Sequence, residues 1–319
     1  MDSVQKRAQS IMTSPSICVV IPAYNCEATI GRALASVGAQ TLQPEQIVVV
    51  DDASKDNTAA IAGNIAGAKP QINTLHENIG ASGARNAGIR VANTDLVAFL
   101  DADDEWHPAK LEKQVKLLLS EPQSSFVSCG TALISAGGKN LGDTFGRHRV
   151  DVGKFAWKTL LASNFVTTPS VVVWRRYLEE LGGFDTSLKI AEDQDMWIRL
   201  AERGGLSYVF DCLVYEHEHE KRLSGEDRGY DPLKFTLPMI EGHIARLSHR
   251  LTSREIELIR GQRYSQIGQL AFSRGMKAEG RQLVWRATKM GHRPLQGIKF
   301  LARTSAIATW LRPLRLRAN

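Results

Sequence analysis

Short β-branched runs alternate with helical patterns four times before residue 121, and this alternation restricts the fold more than any other feature. S-I-C-V-V-I-P, residues 16 to 22, ends at a proline and precedes apolar spacing through Ile30, Leu34 and Val37, which predicts a strand and then an amphipathic helix. The pattern returns in Q-I-V-V-V-D-D (46–52) before a helix from about Asp56 and in I-N-T-L-H (72–76) before a helix near 81–92. It returns again in D-L-V-A-F-L-D (95–101) before a helix from about Pro108. Such alternation demands right-handed crossovers, so the expectation is an α/β chain with a mainly parallel, doubly wound sheet flanked by helices. Val48, Val49 and Val50 in succession suit a strand buried on both faces.

Beyond about residue 120 the alternation loosens. F-V-S-C-G-T-A-L-I, T-P-S-V-V-V-W and L-S-Y-V-F read as further strands, separated by the Gly-rich S-A-G-G-K-N-L-G-D and a helix around 153–162. From Pro232 to Asn319 strand signals vanish, and helical patterns run between breaks at Gly275, Gly291 and Pro294. The expected organisation is a flexible N-terminus (1–15), an α/β domain (16–228) with halves of about 16–120 and 121–228, and a C-terminal helical appendage (229–319). The net charge of +6 hides a division: from Glu241 onward sixteen Lys and Arg face four Asp and Glu, so the body is acidic and the tail basic. A basic helical tail suits anionic lipid, nucleic acid or an acidic partner, or is simply a solvated face. Cys18, Cys26, Cys129 and Cys212 form no C-x-x-C pair, which favours free thiols. No window reaches the roughly 18 apolar residues of a spanning helix, so the expected address is the cytoplasm.

In an open α/β sheet the ligand crevice lies beyond the carboxyl ends of the strands. Those ends are P-A-Y-N, Asp51-Asp52, E-N-I-G and D-A-D-D. Asp101 and Asp103 at a strand end suit one hard divalent cation, or a cation and a ribose hydroxyl; the plain alternative is an acidic turn capping the next helix. One of Asp51 and Asp52 is expected to cap or pack and the other to bind. Tyr24 can stack on a base, and the glycine-punctuated N-I-G-A-S-G-A-R-N, with Gly80 and Arg85, suits an anionic ligand. The glycines of a dinucleotide fingerprint are missing after the first strand, which disfavours hydride transfer. Glu192 and Asp193, downstream of Gly182-Gly183-Phe184-Asp185, offer a general base, while Asp195 with Arg199 reads as an i, i+4 pair. In Y-E-H-E-H-E, His217 and His219 share one face of a strand, as metal ligands or as charges on an edge strand.

V-V-I-P-A-Y-N, V-V-V-D-D-A-S-K-D-N-T, N-I-G-A-S-G-A-R-N-A-G, F-L-D-A-D-D and E-D-Q-D-M-W-I-R-L, in this order with the downstream histidines, resemble the family 2 glycosyltransferases, nucleotide-sugar enzymes with the Rossmann-like GT-A fold. The resemblance covers about residues 16–224. It implies that Pro22, Ala23, Tyr24 and Glu27 border the nucleotide base, that Asp52 contacts the uracil or ribose, and that Gly80 and Arg85 lie near the base or phosphates. It implies Asp101 at the ribose or metal, Asp103 on Mn²⁺ or Mg²⁺ with Asp104 as substitute, and Asp193 as base with Glu192 as understudy; of His217 and His219, either of which could complete the metal shell or touch the leaving phosphate, it does not fix which one matters. Alanine stands in D-D-A-S where the family usually has glycine.

The implied reaction is an inverting, metal-dependent transfer of a sugar from a nucleotide-diphospho-sugar, with a UDP-sugar as the expected donor, to a hydroxyl of a glycan or lipid-linked acceptor in cell-surface polysaccharide synthesis. L-V-W-R-A-T-K-M, I-K-F-L-A-R and T-W-L-R-P-L-R-L-R interleave bulky apolar residues with cations, as an interfacial helix on anionic lipid does. Peripheral attachment to the inner face of a cell membrane is therefore expected, with dimerisation or packing against the body as competitors and nucleic acid disfavoured. Two rivals remain at this level: a nucleotide-sugar-binding or membrane-scaffolding protein without activity, and an aspartate-nucleophile phosphatase, whose D-x-D belongs on the first strand rather than the fourth.

Overall fold

A computed structural model describes residues 14–65, 67–143, 152–218 and 231–304. The expected flexible N-terminus up to residue 13, His219 and the last basic run T-W-L-R-P-L-R-L-R lie outside the described residues. The first half is built from β1 (Ile17–Ala23), α1 (Ile30–Gly38), β2 (Gln46–Asp51), α2 (Thr58–Gly63), β3 (Gln71–Thr74), α3 (Gly80–Val91), β4 (Leu96–Phe99), β5 (Glu105–Trp106) and α4 (Lys110–Ser120). There follow β6 (Phe126–Ile134), β7 (Asn140–Asp143), α5 (Ala156–Ala162), a 3₁₀ turn (Thr168–Ser170), β8 (Val172–Trp174), α6 (Arg175–Glu180), α7 (Glu192–Gly204) and β9 (Leu206–His217). The helices α8 (Thr236–Leu247), α9 (Ser253–Ser273), α10 (Lys277–Lys289) and α11 (Pro294–Arg303) complete the described chain.

One nine-stranded sheet runs in the order β3-β2-β1-β4-β8-β6-β9-β5, with β7 paired to β6. The first four strands are mutually parallel, and β6 runs parallel to β9. The β8 strand is antiparallel to both β4 and β6, which places β6 in the same direction as β4. Both faces of β1, β2 and β4 are buried, as successive valines require when helices cover a sheet on two sides. On one face Trp197 stacks on Phe126 at 5.9 Å and meets Phe99 and Phe184 at 6.4 and 5.8 Å. Ile240, Ile244, Leu247 and Ile259 join that same core. The start of the C-terminal helical region is thus continuous with the body, and Tyr264, Ile267, Leu283 and Ala287 form a separate cluster farther along.

Three local expectations are corrected. The strand expected over T-P-S-V-V-V-W shrinks to Val172–Trp174, because Thr168–Ser170 closes a 3₁₀ turn. The Gly-rich separator holds β7, which returns along β6 after a turn with Gly138 at φ +78°. Pro294 opens α11 rather than breaking a helix, since proline's missing N–H is no loss in the first turn.

Ala53 has φ +60°, which explains why glycine suits the D-D-A-S position. Ala53→Gly is expected to stabilise the chain by about 0.5–1 kcal/mol, the relieved left-handed strain exceeding the extra freedom of glycine in the unfolded state. An unchanged or lower urea midpoint would refute the strain argument.

Candidate functional site

The carboxyl ends of β1 to β4 open on one rim, as their parallel register requires. Pro22 and Ala23 end β1 opposite Val50 and Asp51, and the next side chain, Tyr24, is 49% exposed at the mouth. The two loops after β1 and β2 clasp each other. Asn25 N–H donates to Ser54 Oγ at 3.0 Å and Lys55 N–H to Asn25 Oδ1 at 2.7 Å. Glu27 Oε2 accepts from Asn57 N–H at 3.0 Å, and Cys26 N–H donates to Thr58 Oγ1 at 2.8 Å. Asp52 is buried, and its two carboxylate oxygens accept the N–H groups of Ile79 (2.8 Å) and Gly80 (2.9 Å) at the start of α3. Burial pushes its pKa up while those two donors oppose the shift. Asp52 and Gly80, which the sequence placed separately at the nucleotide, are therefore bonded to each other.

Arg85 on α3 is the junction of the rim. Its Nη2 donates to Asp101 Oδ1 at 3.0 Å and its Nη1 to Glu192 Oε1 at 2.9 Å. The guanidinium lies 5.5 Å from the Phe184 ring centroid and is buried, with Nε lacking a partner in the described structure. Burial opposes its charge, but Asp101 and Glu192 outweigh that cost and hold it protonated. Asp103 is partly exposed like Asp101, whereas Asp104 is buried. Glu105–Trp106 pairs antiparallel with Tyr215 and Val214 of β9. His217 on β9 meets Glu105 Oε2 at 3.2 Å. Burial and then Arg32 push the His217 pKa down, against Glu105 and Asp103.

Ala191, at φ +66°, turns the chain into α7 so that Glu192 and Asp193 occupy its first turn. Asp193 accepts Gln194 N–H at 2.6 Å and Asn164 Nδ2–H at 3.2 Å. It keeps a partial opening to solvent, yet burial and then the neighbouring Glu192 charge push its pKa up to about 7, against Gln194 N–H and Arg85. Gln194 donates to Leu160 O at 2.6 Å and accepts from Arg263 of α9. Asp195 accepts from Arg199 Nη2 at 2.6 Å, the expected i, i+4 pair, and meets His243 Nε2 at 2.8 Å. Arg199 also donates to Leu181 O and Gly183 O, both at 3.0 Å. The Phe184 N–H and carbonyl are bonded at 2.8 Å to Asn86, the neighbour of Arg85. The loop before α7 is thus tied to both α3 and α7.

A family model described as glycosyl transferase family 2 matches residues 18–173. A relative from Bacillus subtilis, the putative teichuronic acid biosynthesis glycosyltransferase TuaG, is 30% identical over 63% of this chain and 78% of its own length. The chain belongs to glycosyl transferase family 2. Another family relative, the Escherichia coli UDP-Glc:alpha-D-GlcNAc-diphosphoundecaprenol beta-1,3-glucosyltransferase WfgD, is 29% identical over 62% of this chain and 76% of its own. The solved structure of Staphylococcus aureus TarS 1–349 with UDP-GlcNAc superposes with a TM-score of 0.64 at 19% identity, covering 86% of this chain and 81% of that one. The GT-A arrangement expected from the sequence is thereby borne out.

Among the described residues no three acidic, His or Cys side chains cluster as a metal cage. Asp101 and Asp103 nonetheless present the hard oxygen donors, both partly open, that suit Mg²⁺ or Mn²⁺ when most ligands come from a diphosphate and water. No helix of the described residues is long and apolar enough to cross a membrane.

Proposed function

We propose that the chain is an inverting glycosyltransferase that moves a sugar from a UDP-sugar to a hydroxyl of a glycan or lipid-linked acceptor, in cell-surface polysaccharide synthesis at the inner face of the membrane. The observation that carries this reading is the placement of Asp193, a carboxylate oriented by Asn164 and one residue from the Glu192–Arg85–Asp101 chain, where burial and the Glu192 charge push its pKa up. The names of the relatives support the donor and acceptor classes.

In the proposed step Asp193 takes the proton of the acceptor hydroxyl, whose oxygen attacks the anomeric carbon in line. The new glycosidic bond forms as the bond to the diphosphate breaks, and the electron pair leaves with UDP. One displacement inverts the anomeric centre. The exposed Tyr24 ring stacks on the base, bordered by Pro22, Ala23 and Glu27. Asp52 holds the start of α3, which sets Arg85 behind the phosphates. Mn²⁺ or Mg²⁺ held by Asp101 and Asp103, with His217 or His219 beside it, would neutralise diphosphate charge.

Incubation with UDP-sugars and a water-soluble acceptor is expected to release UDP only when the divalent ion is present, with NMR showing the opposite anomeric configuration in the product. Retained configuration would overturn the single displacement. Absence of thermal stabilisation by any UDP-sugar with Mn²⁺ would overturn the donor. Hydrolysis of simple phosphate monoesters in place of transfer would restore the phosphatase alternative.

A further inference from the structure

The helices α10 and α11 pack as an antiparallel pair. A Cβ on Gly297 would lie 2.0 Å from Thr288 Oγ1, and Arg281 Nη1 donates to Leu301 O at 3.1 Å and Thr304 Oγ1 at 2.9 Å. With those positions on the inner line, a turn of about 100° per residue carries Trp285 and Lys289 of α10 and Ile298 of α11 to one common side, with Leu295 next to it on the outer face of α11. Phe300 goes to the other side, against Phe272 of α9 at 5.3 Å. The common side and the adjoining Leu295 are open: Leu295 is 74% exposed, Ile298 56% and Trp285 48%. Lys289 Nζ sits 3.8 Å from the Trp285 ring centroid. Beside Trp285 lies a cleft of about 500 Å³ whose charged lining is Arg254, Glu257, Arg286 and Lys289, with Arg254 paired to Glu257 at 3.2 Å.

Charge decides what covers this face. Residues 277–304 hold seven Lys and Arg and one acid, Glu279. A two-fold pairing with a second copy would set the same cations against each other. A nucleic acid would engage the cations but leave Leu295 and Ile298 in water. An anionic bilayer meets both demands: the apolar ridge enters the acyl boundary, Trp285 lies at headgroup level, and the cations meet lipid phosphates.

We propose that the α10–α11 face is a docking surface for an anionic lipid bilayer, with Trp285, Leu295 and Ile298 as the inserting residues. This deepens the reading of a membrane-borne acceptor, but vesicle binding alone decides it, and sugar transfer to a water-soluble acceptor tests that reading separately. In sedimentation with vesicles, the whole chain is expected to pellet with phosphatidylcholine containing phosphatidylglycerol and to stay in solution with phosphatidylcholine alone. High salt should release it. Leu295→Glu with Ile298→Glu lies on exposed positions, so the variant should keep its melting temperature and its transfer to the soluble acceptor while losing at least about tenfold in vesicle partitioning. Wild-type partitioning by that variant would overturn the proposal, as would equal binding to neutral vesicles. A lipid-independent dimer lost in the variant would replace the bilayer with a second copy.

Discussion

Asp193→Asn is expected to lower sugar transfer by about 10²–10⁴-fold, the usual contribution of a general base, with UDP-sugar affinity nearly unchanged. The amide has the shape of the carboxylate but cannot take the acceptor proton. In the parent protein, transfer should fall about tenfold per pH unit below the base's pKa and level off above it, with the bend near 7 that Asp193 sets. The linkage sign separates chemistry from misfolding. The folded-state pKa of Asp193 is raised above its ordinary carboxylate value, so the native state holds a proton that the unfolded chain has released, and stability falls as pH rises from the ordinary carboxylate range toward about 7. Asparagine removes that loss. The variant should therefore be no less stable than the parent at neutral pH and above, by urea unfolding. An undiminished rate, or a lost rate accompanied by a collapsed melting temperature, would remove Asp193 from the base role.

Much of the frame was legible because it is written locally. Runs such as Val48 to Val50 and the apolar spacing of α1 report burial within a few residues, and four strand ends on one rim follow from parallel order. Elements without periodicity were missed. Glu105–Trp106 is a two-residue strand that exists only because β9 lies beside it, and β7 is recognisable only through its partner β6. The site was legible as a set of residue types and illegible as a network. Arg85 and Glu192 lie 107 positions apart, and His243 reaches Asp195 across 48. No local pattern marks His243, since its helix reads as an ordinary amphipathic one; the available signal was an acid-rich first turn in α7 with more carboxylates than a dipole needs. The clasp between the loops after β1 and β2 was equally silent, although the left-handed Asn25 and Ala53 that permit it sit among turn-forming residues.

Arg85→Gln is expected to have the second large effect, on stability and on the pH profile together. Arg85 joins Asp101 and Glu192 at 3.0 and 2.9 Å with only 6% of its side chain exposed. Removing one partner of a buried ion pair costs about 3–5 kcal/mol because the remaining charge is stranded. Asp101 and Glu192 keep 28% and 15% of their side-chain surface, so water softens the loss, and the low end of that range, about 3 kcal/mol, is expected from urea unfolding. Arg85 also lowers the pKa of Asp193 against the upward pull of Glu192, so glutamine at position 85 should move the acid limb of the transfer profile to higher pH. Arg85→Lys should fall between, since a point charge satisfies one carboxylate but cannot span two as a planar fork does. The decisive comparison is Arg85→Gln with Glu192→Gln in one chain. Neutralising Glu192 removes both a stranded charge and the main electrostatic pressure on Asp193, so the double variant should regain part of the stability and shift the pH profile back. Strictly additive losses in the double variant, with an unmoved profile, would mean that Arg85 serves the phosphates alone and does not couple the donor acids to the base.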